Sequence, residues 1–185
     1  YERPVHKVVI GDVVEGTITA QGYFIRNKTA GGTTAELMHS DYLSSQMSVE
    51  IFGKSLEDRL KFPSEGIHIG HIPAGNDGIY LLIDLRREEA GFFELDMHGE
   101  EGVIIEAAYG EQTDDLRVRS SMGGRNFAFQ YICSDGHQKF THYIKRIAGR
   151  YIQLHISGIK DGIIIYYAGI RSVEYPVELR GNFSC

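Results

Sequence analysis

Segments that alternate apolar and polar side chains constrain the fold of this chain more than any other feature of its sequence. They are rich in β-branched and aromatic residues, which favour extended backbone. The strand candidates are residues 7–14, 17–25, 79–85, 91–97, 103–108, 126–132, 139–144, 151–156 and 162–170. Because no helices of about 10 to 15 residues separate these segments, the pattern predicts an all-β fold, specifically a two-sheet antiparallel, jelly-roll-like β-sandwich.

One short helix is expected over residues 34–44. Thr33 and Glu36 have the spacing of a capping box, in which each side chain accepts a hydrogen bond from the backbone amide of the other residue. Apolar residues from Leu37 to Leu43 then recur at helical spacing. Residues 63–78 carry prolines and glycines without a sustained pattern, and we expect a connector there.

The composition fits one folded domain and excludes several function classes. With 185 residues, 42% of them hydrophobic, the chain is too apolar for intrinsic disorder. A net charge of −6 gives no general attraction to nucleic acid, and no apolar run reaches the roughly 20 residues of a membrane helix. We therefore expect one sandwich domain over residues 1–185, with the N-terminal strands, helix and connector in 1–78 and the main strands in 79–185. Neither nucleic acid nor a membrane is an expected partner.

The start of the chain bears on its origin. Tyr1 stands where a methionine would begin a complete chain, so we expect either a processed protein or a piece cut from something larger. No signal peptide is recognisable, and the compartment stays open with a lean towards the cytoplasm.

Charge is distributed unevenly along the chain. Residues 81–116 hold 11 acidic and 2 basic residues, whereas residues 117–150 hold 7 basic residues and 1 acidic residue. This asymmetry predicts ion pairs between neighbouring strands. An anion or sugar site at the basic segment is the alternative.

Candidate metal ligands and catalytic groups are weak. His68 with His71, in a predicted loop, and His137 with His142 each lack a third ligand nearby, so no metal and no cofactor is predicted. Cys133 lies inside an apolar strand, where a thiol usually serves as inert packing. Adjacent acidic residues point to opposite faces of a strand and cannot act together as a glycosidase pair, so no catalytic residue is assigned. Whether the chain is an enzyme stays uncertain, and we expect it to be inactive by itself.

Residues 111–126 offer the clearest ligand-binding chemistry. Arginine presents a planar fork of donors, and glutamate and asparagine add directional acceptors, a combination suited to sugar hydroxyls or carboxylates. The candidate carbohydrate-binding residues are Glu111, Arg117, Arg119, Arg125, Asn126 and, farther along the chain, Tyr143. A network that ties a long loop to the sheet is the competing interpretation.

The candidate stacking surface beside this segment is Phe127, Tyr131 or Tyr143. Phe127 and Tyr131 are an even number of residues apart, so they share one face of their strand. That face forms a platform if it points outwards and joins the core if it points inwards. We favour the core.

Several motifs, taken in order, are similar to those of one known family. Residues 80–97, 105–111, 115–119 and 149–154 resemble the β-sandwich segment that precedes the catalytic barrel in bacterial α-L-rhamnosidases. The family's Asp strand, its glycine at the start of a second strand, its Glu strand end and its Arg-Tyr strand correspond to Asp84, Gly91, Glu111 and Arg150-Tyr151. Residues 2–4 and 181–185 resemble the segments that enter and leave this sandwich. The match is good over residues 79–185 and loose before them.

One position departs from the family pattern. Where relatives usually have a glycine, this chain has Arg86, so the local turn is expected to differ.

The resemblance implies a non-catalytic accessory β-sandwich domain of an α-L-rhamnosidase-like glycoside hydrolase. In that family, which inverts the anomeric centre, hydrolysis takes place in an α/α barrel that residues 1–185 do not contain. The implied partners are the catalytic barrel of the same chain and a rhamnose-containing glycan. An autonomous lectin-like carbohydrate-binding module is the alternative. A face that normally packs on a barrel would be apolar, and we expect it to favour a homodimer of the fragment.

Overall fold

The computed structural model describes residues 7–44, 65–177 and Gly181, and its secondary structure is almost entirely β. The one helix among these residues is α1, Thr34–Ser40. The strands are β1 (Val9–Val13), β2 (Thr17–Ile25), β3 (Tyr42–Leu43), β4 (Ile67–Ile69), β5 (Gly78–Gly99), β6 (Ile104–Gly110), β7 (Thr113–Asp114), β8 (Arg117–Val118), β9 (Ser121–Met122), β10 (Arg125–Asn126), β11 (Ala128–Ile132), β12 (Gly136–Ser157) and β13 (Ile163–Glu174). The prediction of an all-β, sandwich-like fold with one short helix is confirmed.

Two strands of 22 residues each, β5 and β12, organise the fold. They pair with each other along most of their length, with register shifts between Thr141 and Arg146 and between Gly149 and Tyr151. The first half of β5 also pairs with β2, and its second half pairs with β13. Similarly, the second half of β12 pairs with β6. The two layers of the sandwich are therefore halves of one curled, continuously hydrogen-bonded antiparallel sheet.

The continuity of β5 and β12 corrects four predicted strand boundaries. Segments 79–85 and 91–97 were expected as separate strands, and so were 139–144 and 151–156. Gly91 does not begin a strand; it lies within β5, where a Cβ would overlap the carbonyl oxygen of Arg171 on β13. The consecutive strands β5 and β6 do not pair with each other, because they lie on opposite sides of β12. Period-2 patterning fixes the face of each residue but not whether a strand bends or stops.

The core lies between the two layers. In β5, odd-numbered residues from Ile79 to Leu85 and from Phe93 to Met97 all belong to the main apolar cluster. Residues of β6, the second half of β12 and β13 complete it, including Ile105, Leu154 and Ile165. Phe127, Phe129 and Tyr131 pack against the same cluster, so the face shared by Phe127 and Tyr131 points inwards, as favoured from the sequence.

The sheet face that points away from this core is also covered along β6, β11 and the first half of β5. Ala35 and Met38 of α1 pack with Ala108 of β6 and Ala128 of β11. Tyr80 and Leu82 form another small cluster with Val118 from the segment after β6. Helix α1 and residues 111–126 therefore form a partial third layer over this sheet.

Helix α1 begins as predicted and ends four residues early. The capping box is present, with Thr33 Oγ1 accepting from Glu36 N and Glu36 Oε2 accepting from Thr33 N. Hydrogen bonds donated to the Glu36 carboxylate by Thr33 N and Thr33 Oγ1 lower the pKa of Glu36. Asp41 has extended backbone, and residues 42–43 pair with β2 as β3. Tertiary pairing replaces the last predicted turn of the helix. In the predicted connector, residues 67–69 form β4.

The segment after β6 consists of two small hairpins rather than one long loop. In the first, β7 and β8 are joined by Asp115 and Leu116, and in the second, β9 and β10 are joined by Gly123 and Gly124. All four turn residues have positive φ, from 46° to 75°. Positive φ at both central residues is the signature of a type I′ turn, which glycine adopts without strain and Leu116 does not.

Ion pairs link the acidic and basic segments, as the charge asymmetry predicted. The Asp84 carboxylate accepts hydrogen bonds from Nε and Nη2 of Arg150, each at 2.8 Å. These hydrogen bonds lower the pKa of Asp84. Asp96 pairs with Lys139 at 2.7 Å. The two family-like motifs that contain Asp84 and Arg150 thus meet across β5 and β12.

Arg86 lies two residues after Asp84, within β5, at the position where the sequence departs from the family pattern. Its φ of 65° is in the left-handed region, which glycine adopts most readily. The backbone N–H of Arg86 donates to Asp84 Oδ1 at 2.7 Å and helps to hold this conformation. The motif at 2–4 and residues 182–185 lie outside the described residues.

Candidate functional site

A cavity of about 560 Å³ opens where β6 ends, beside the two small hairpins and the bend of β12. We call it the hairpin pocket. Its walls include Tyr109, Glu111, Arg119, Met122, Phe127 and Arg146. The hairpins bring Arg119 and Met122 to the pocket, and the register shift in β12 brings Arg146.

Aromatic rings form the apolar part of the hairpin pocket. Tyr109 is buried and meets Phe127 edge to face, with ring centroids 5.7 Å apart. Lys145 Nζ lies 5.5 Å from the centroid of the Tyr109 ring and donates to Asn126 O at 3.0 Å. Burial raises the pKa of Tyr109, so its hydroxyl stays neutral in ordinary buffers. Together with exposed Met122, these rings offer surface for the C–H face of a ligand.

Charged side chains at the rim of the pocket lack protein partners. Among the residues that the structure describes, the side chains of Glu111 and Arg119 make neither a hydrogen bond nor an ion pair. Both line the same cavity and both are exposed. Arg146 donates from Nη2 to Val173 O at 3.1 Å and has no carboxylate partner within the described part of the chain. The pocket therefore combines ring faces with charges available to a ligand.

Two of the residues predicted from the sequence serve the fold instead. Arg117 Nη2 donates to Asp41 O at 2.7 Å, and Arg117 Nη1 donates to Asp115 Oδ2 at 3.0 Å. Asn126 Oδ1 accepts from Ala35 N at 3.2 Å and from Ala128 N at 3.1 Å, which ties α1 to β11. The structural interpretation of segment 111–126 thus applies to these two side chains.

The remaining two predicted residues lie away from the pocket walls. Arg125 is exposed on β10. Tyr143 is 58% exposed, with its ring 5.2 Å from that of Phe92. The structure therefore gathers only Glu111 and Arg119 of the six candidates. It adds Arg146 and Tyr109, which sequence reasoning missed because no pattern in β12 or β6 reports where the bent strand passes the hairpins.

A second group of polar residues is buried beneath α1, and we call it the α1 cluster: Arg26, Asp41, Glu106, Gln153 and His155. Arg26 Nη2 pairs with Glu106 Oε2, and Arg26 Nη1 lies 3.2 Å from Asp41 Oδ2 without forming a hydrogen bond. His155 Nδ1 is 2.8 Å from the same Asp41 oxygen. The ring of His155 stacks on Phe24 with centroids 4.6 Å apart.

Hydrogen bonds fix the tautomer of His155. Val118 N–H donates to Gln153 Oε1 at 2.8 Å, so the amide nitrogen of Gln153 faces the histidine. That nitrogen donates to His155 Nε2 at 2.8 Å, which leaves Nδ1–H to donate to Asp41. Burial lowers the pKa of His155, with Asp41 and Glu106 opposing the shift, so the ring is neutral near pH 7.

The α1 cluster contains a possible metal-ligand set. Asp41, Glu106 and His155 each offer a ligand atom, and these atoms lie within 4.8 Å of one another. Arg26 contacts both carboxylates through its one guanidinium, and each ligand group has a protein partner. The geometry therefore accounts for the cluster as a hydrogen-bonded support between α1 and the sheet.

The other sequence candidates have ordinary structural surroundings. His68 lies in strand β4 rather than in a loop and is exposed. His137 pairs with Asp96 at 2.7 Å, and His142 packs edge to face on Phe129. Cys133 is buried beside Met97, and burial raises its pKa to about 11, which keeps the thiol protonated. No helix in the described ranges has the length and apolarity needed to cross a bilayer.

Comparison with known proteins identifies the fold. No protein-family model matches the chain, and no curated sequence matches it. The structure of a GH78 family rhamnosidase of Bacillus sp. GL1 superposes with a TM-score of 0.63 and 23% identity, covering 84% of this chain and 16% of that chain. The chain thus has the fold of a segment of a much longer enzyme.

Two further solved structures are more distant. A rhamnosidase from Klebsiella oxytoca with rhamnose bound has a TM-score of 0.44 and 8% identity, covering 90% of this chain and 29% of that chain. A fucolectin from the serum of Morone saxatilis, the striped bass, has a TM-score of 0.39 and 13% identity, covering 90% of this chain and 50% of that chain. These two scores are too low to carry an argument about function.

Proposed function

We propose that residues 1–185 form a non-catalytic β-sandwich domain of an α-L-rhamnosidase-like glycoside hydrolase. The main support is the fold shared with a segment of the Bacillus rhamnosidase over 84% of this chain. The sequence motifs point in the same direction, since Asp84 and Arg150 belong to the family-like pattern and form a bidentate ion pair. In this proposal the domain packs against a catalytic α/α barrel in the same protein.

We propose further that the hairpin pocket contacts carbohydrate. A sugar has hydroxyl edges and C–H faces, so its sites combine directional polar groups with apolar surface. Arg119 and Glu111 supply polar groups without protein partners, and Phe127 with Met122 supplies apolar surface. This site replaces the wider set of six residues expected from the sequence.

Titration of the chain with L-rhamnose tests the carbohydrate contact. We expect amide shifts confined to residues 109–127 and 146–148, with saturation in the millimolar range of about 1–50 mM, typical of single-sugar contacts. Arg119→Ala should weaken these shifts, whereas Arg125→Ala, an exposed arginine outside the pocket walls, should leave them unchanged. No response at about 50 mM L-rhamnose would refute contact with this sugar.

A chromogenic α-L-rhamnoside tests the non-catalytic role. The isolated chain should release no chromophore above the rate of a buffer blank. Turnover that disappears in one carboxylate variant, such as Glu111→Gln, would show an active site in this domain and overturn the proposal.

Strand β1 offers a surface for the proposed packing on the barrel. It pairs with β13 on one side, and Val9, Ile10 and Val13 are exposed. Apolar side chains on an edge strand favour contact with another surface. Light scattering should detect self-association of the isolated chain, and Ile10→Lys should reduce it. A chain that stays monomeric at every protein concentration measured would count against self-association through the β1 surface.

A further inference from the structure

We propose that the hairpin pocket takes an acidic saccharide, with the carboxylate of a uronic acid residue held by Arg119 and Arg146. This inference rests on the proposed carbohydrate contact and narrows its ligand class. It starts from the charges that line the pocket rather than from any likeness to other proteins.

Positive charge exceeds negative charge around this cavity. Arg119 and Arg146 line it, against one carboxylate from Glu111. The ammonium of Lys145 adds a further positive charge next to the ring of Tyr109, which lines the pocket. The chain as a whole carries a net charge of −6, so the pocket departs from the general charge of its surface. A cationic concavity of this kind concentrates anionic ligands.

Most of the other arginines that the structure describes are paired, although exposed Arg125, outside the pocket walls, lacks a side-chain partner as well. Arg26, Arg150 and Arg171 each contact a carboxylate, namely Glu106, Asp84 and Glu94. In the described part of the chain, Arg119 has no side-chain partner and Arg146 has only a backbone carbonyl. A guanidinium presents a planar fork that matches a carboxylate, and the resulting hydrogen bonds are roughly twice as strong as those between neutral groups.

The remaining walls fit the rest of a sugar ring. Phe127 and Met122 offer apolar surface to its C–H face, and Glu111 accepts hydrogen bonds from its hydroxyls. The volume of about 560 Å³ lies within the range of roughly 300–1,000 Å³ that small-ligand pockets occupy. A neutral sugar that filled this space would displace water from two guanidinium groups without giving them a carboxylate, which costs free energy.

A matched pair of ligands tests the charge requirement directly. D-glucuronate and D-glucuronamide differ at one group, a carboxylate in the first and a neutral amide in the second, so backbone amide shifts measured with each report the contribution of the carboxylate. We expect the glucuronate Kd to be at least about tenfold lower, equivalent to about 1.4 kcal/mol, and to rise with added NaCl. Arg119→Gln should remove most of this preference, whereas Arg125→Gln should retain it.

The outcomes separate this inference from the function on which it rests. If L-rhamnose or glucuronamide binds in the pocket as tightly as glucuronate, the carbohydrate contact stands and the acidic ligand class is wrong. If glucuronate binds and L-rhamnose does not, the pocket is a carbohydrate site and rhamnose is excluded as its ligand. If no sugar of either charge shifts the pocket amides, both fail. A preference for glucuronate that survives in Arg119→Gln and Arg146→Gln alike would also overturn the assignment of these arginines.

Discussion

The α1 cluster and the hairpin pocket use the same kinds of side chain in opposite ways. In the α1 cluster, Asp41 and His155 are fully buried and each contacts a polar partner. In the hairpin pocket, the side chains of Glu111 and Arg119 are exposed and have no polar partner in the described part of the chain. Removal of a charge from water is costly unless a partner replaces the water, so polar partners are required beneath α1 and not at the pocket rim.

The difference distinguishes charges that stabilise the fold from charges that are free to bind a ligand. Segment 111–126 contains both kinds, two residues apart: Arg117 donates to the backbone of Asp41, and Arg119 reaches the pocket. Residue type alone does not separate them. Four substitution experiments test this distinction.

The largest effect is expected for Asp41→Ala. This change leaves the buried His155 Nδ1–H and the part-buried Asn27 N–H without their acceptor and removes the ion pair with Arg26. At about 1–3 kcal/mol for each buried donor left unsatisfied, the total cost should be about 3–5 kcal/mol. Urea denaturation of the variant measures the loss. Asp115→Ala is the control, because that side chain is 88% exposed and its ion pair with Arg117 should contribute no more than about 1 kcal/mol. Equal losses in the two variants would contradict the distinction.

The next largest effect on the free energy of unfolding is expected for Arg117→Ala, compared with Arg119→Ala in the same segment. Arg117 is 18% exposed and donates to the carbonyl oxygen of Asp41, so Arg117→Ala should lower the free energy of unfolding by about 1.5–3 kcal/mol. Arg119→Ala should change it by less than about 0.5 kcal/mol, as expected for a surface substitution. Thermal or urea unfolding measures both, and a reversed order would place Arg119 among the structural charges.

A smaller effect is expected in the dependence of stability on pH. Burial lowers the pKa of His155, so below about pH 6.5 the unfolded chain binds a proton that the folded chain excludes. Stability should therefore fall as the pH falls, with a contribution of up to about 1.4 kcal/mol per pH unit from this residue. Unfolding measured between pH 7 and about pH 5 tests the slope.

His155→Gln should flatten this slope, because glutamine does not titrate in that range. His71→Gln, at an exposed histidine, should leave it unchanged. An unaltered slope in His155→Gln would mean that other groups carry the pH dependence.

The smallest effect concerns a buried hydroxyl next to the α1 cluster. Tyr80 is fully buried, and its hydroxyl oxygen has no hydrogen-bond partner among the described residues. Tyr80→Phe removes an unsatisfied polar group and should raise the free energy of unfolding by about 1 kcal/mol. Tyr167→Phe is the matched control, because the Tyr167 hydroxyl donates to the carbonyl oxygens of Val14 and Ile170 and its loss should destabilise the chain. A destabilised Tyr80→Phe variant would show that the hydroxyl is hydrogen-bonded in solution.

Much of the fold follows from local patterns in the sequence. Alternating side chains identified nearly every long strand, because the face of a strand residue depends only on parity. The capping box of Thr33 and Glu36 located the start of α1, because both hydrogen bonds are made within one turn. The glycine pair at 123–124 marked a turn, because positive φ is a property of single residues. The excess of acidic over basic residues in 81–116 predicted the ion pairs that Asp84 and Asp96 form with the next segment.

The tertiary structure alone decided where these elements meet. Strands β5 and β12 bend rather than stop, and only pairing with two different neighbours along their length reveals this. Asp41 leaves the helical pattern because residues 42–43 pair with β2, a contact with distant sequence. Arg146 reaches the hairpin pocket through a register shift, and Arg117 turns away from it to bind Asp41. Parity and propensity act over a few residues, whereas the partner of a charged side chain depends on contacts between segments far apart in the chain.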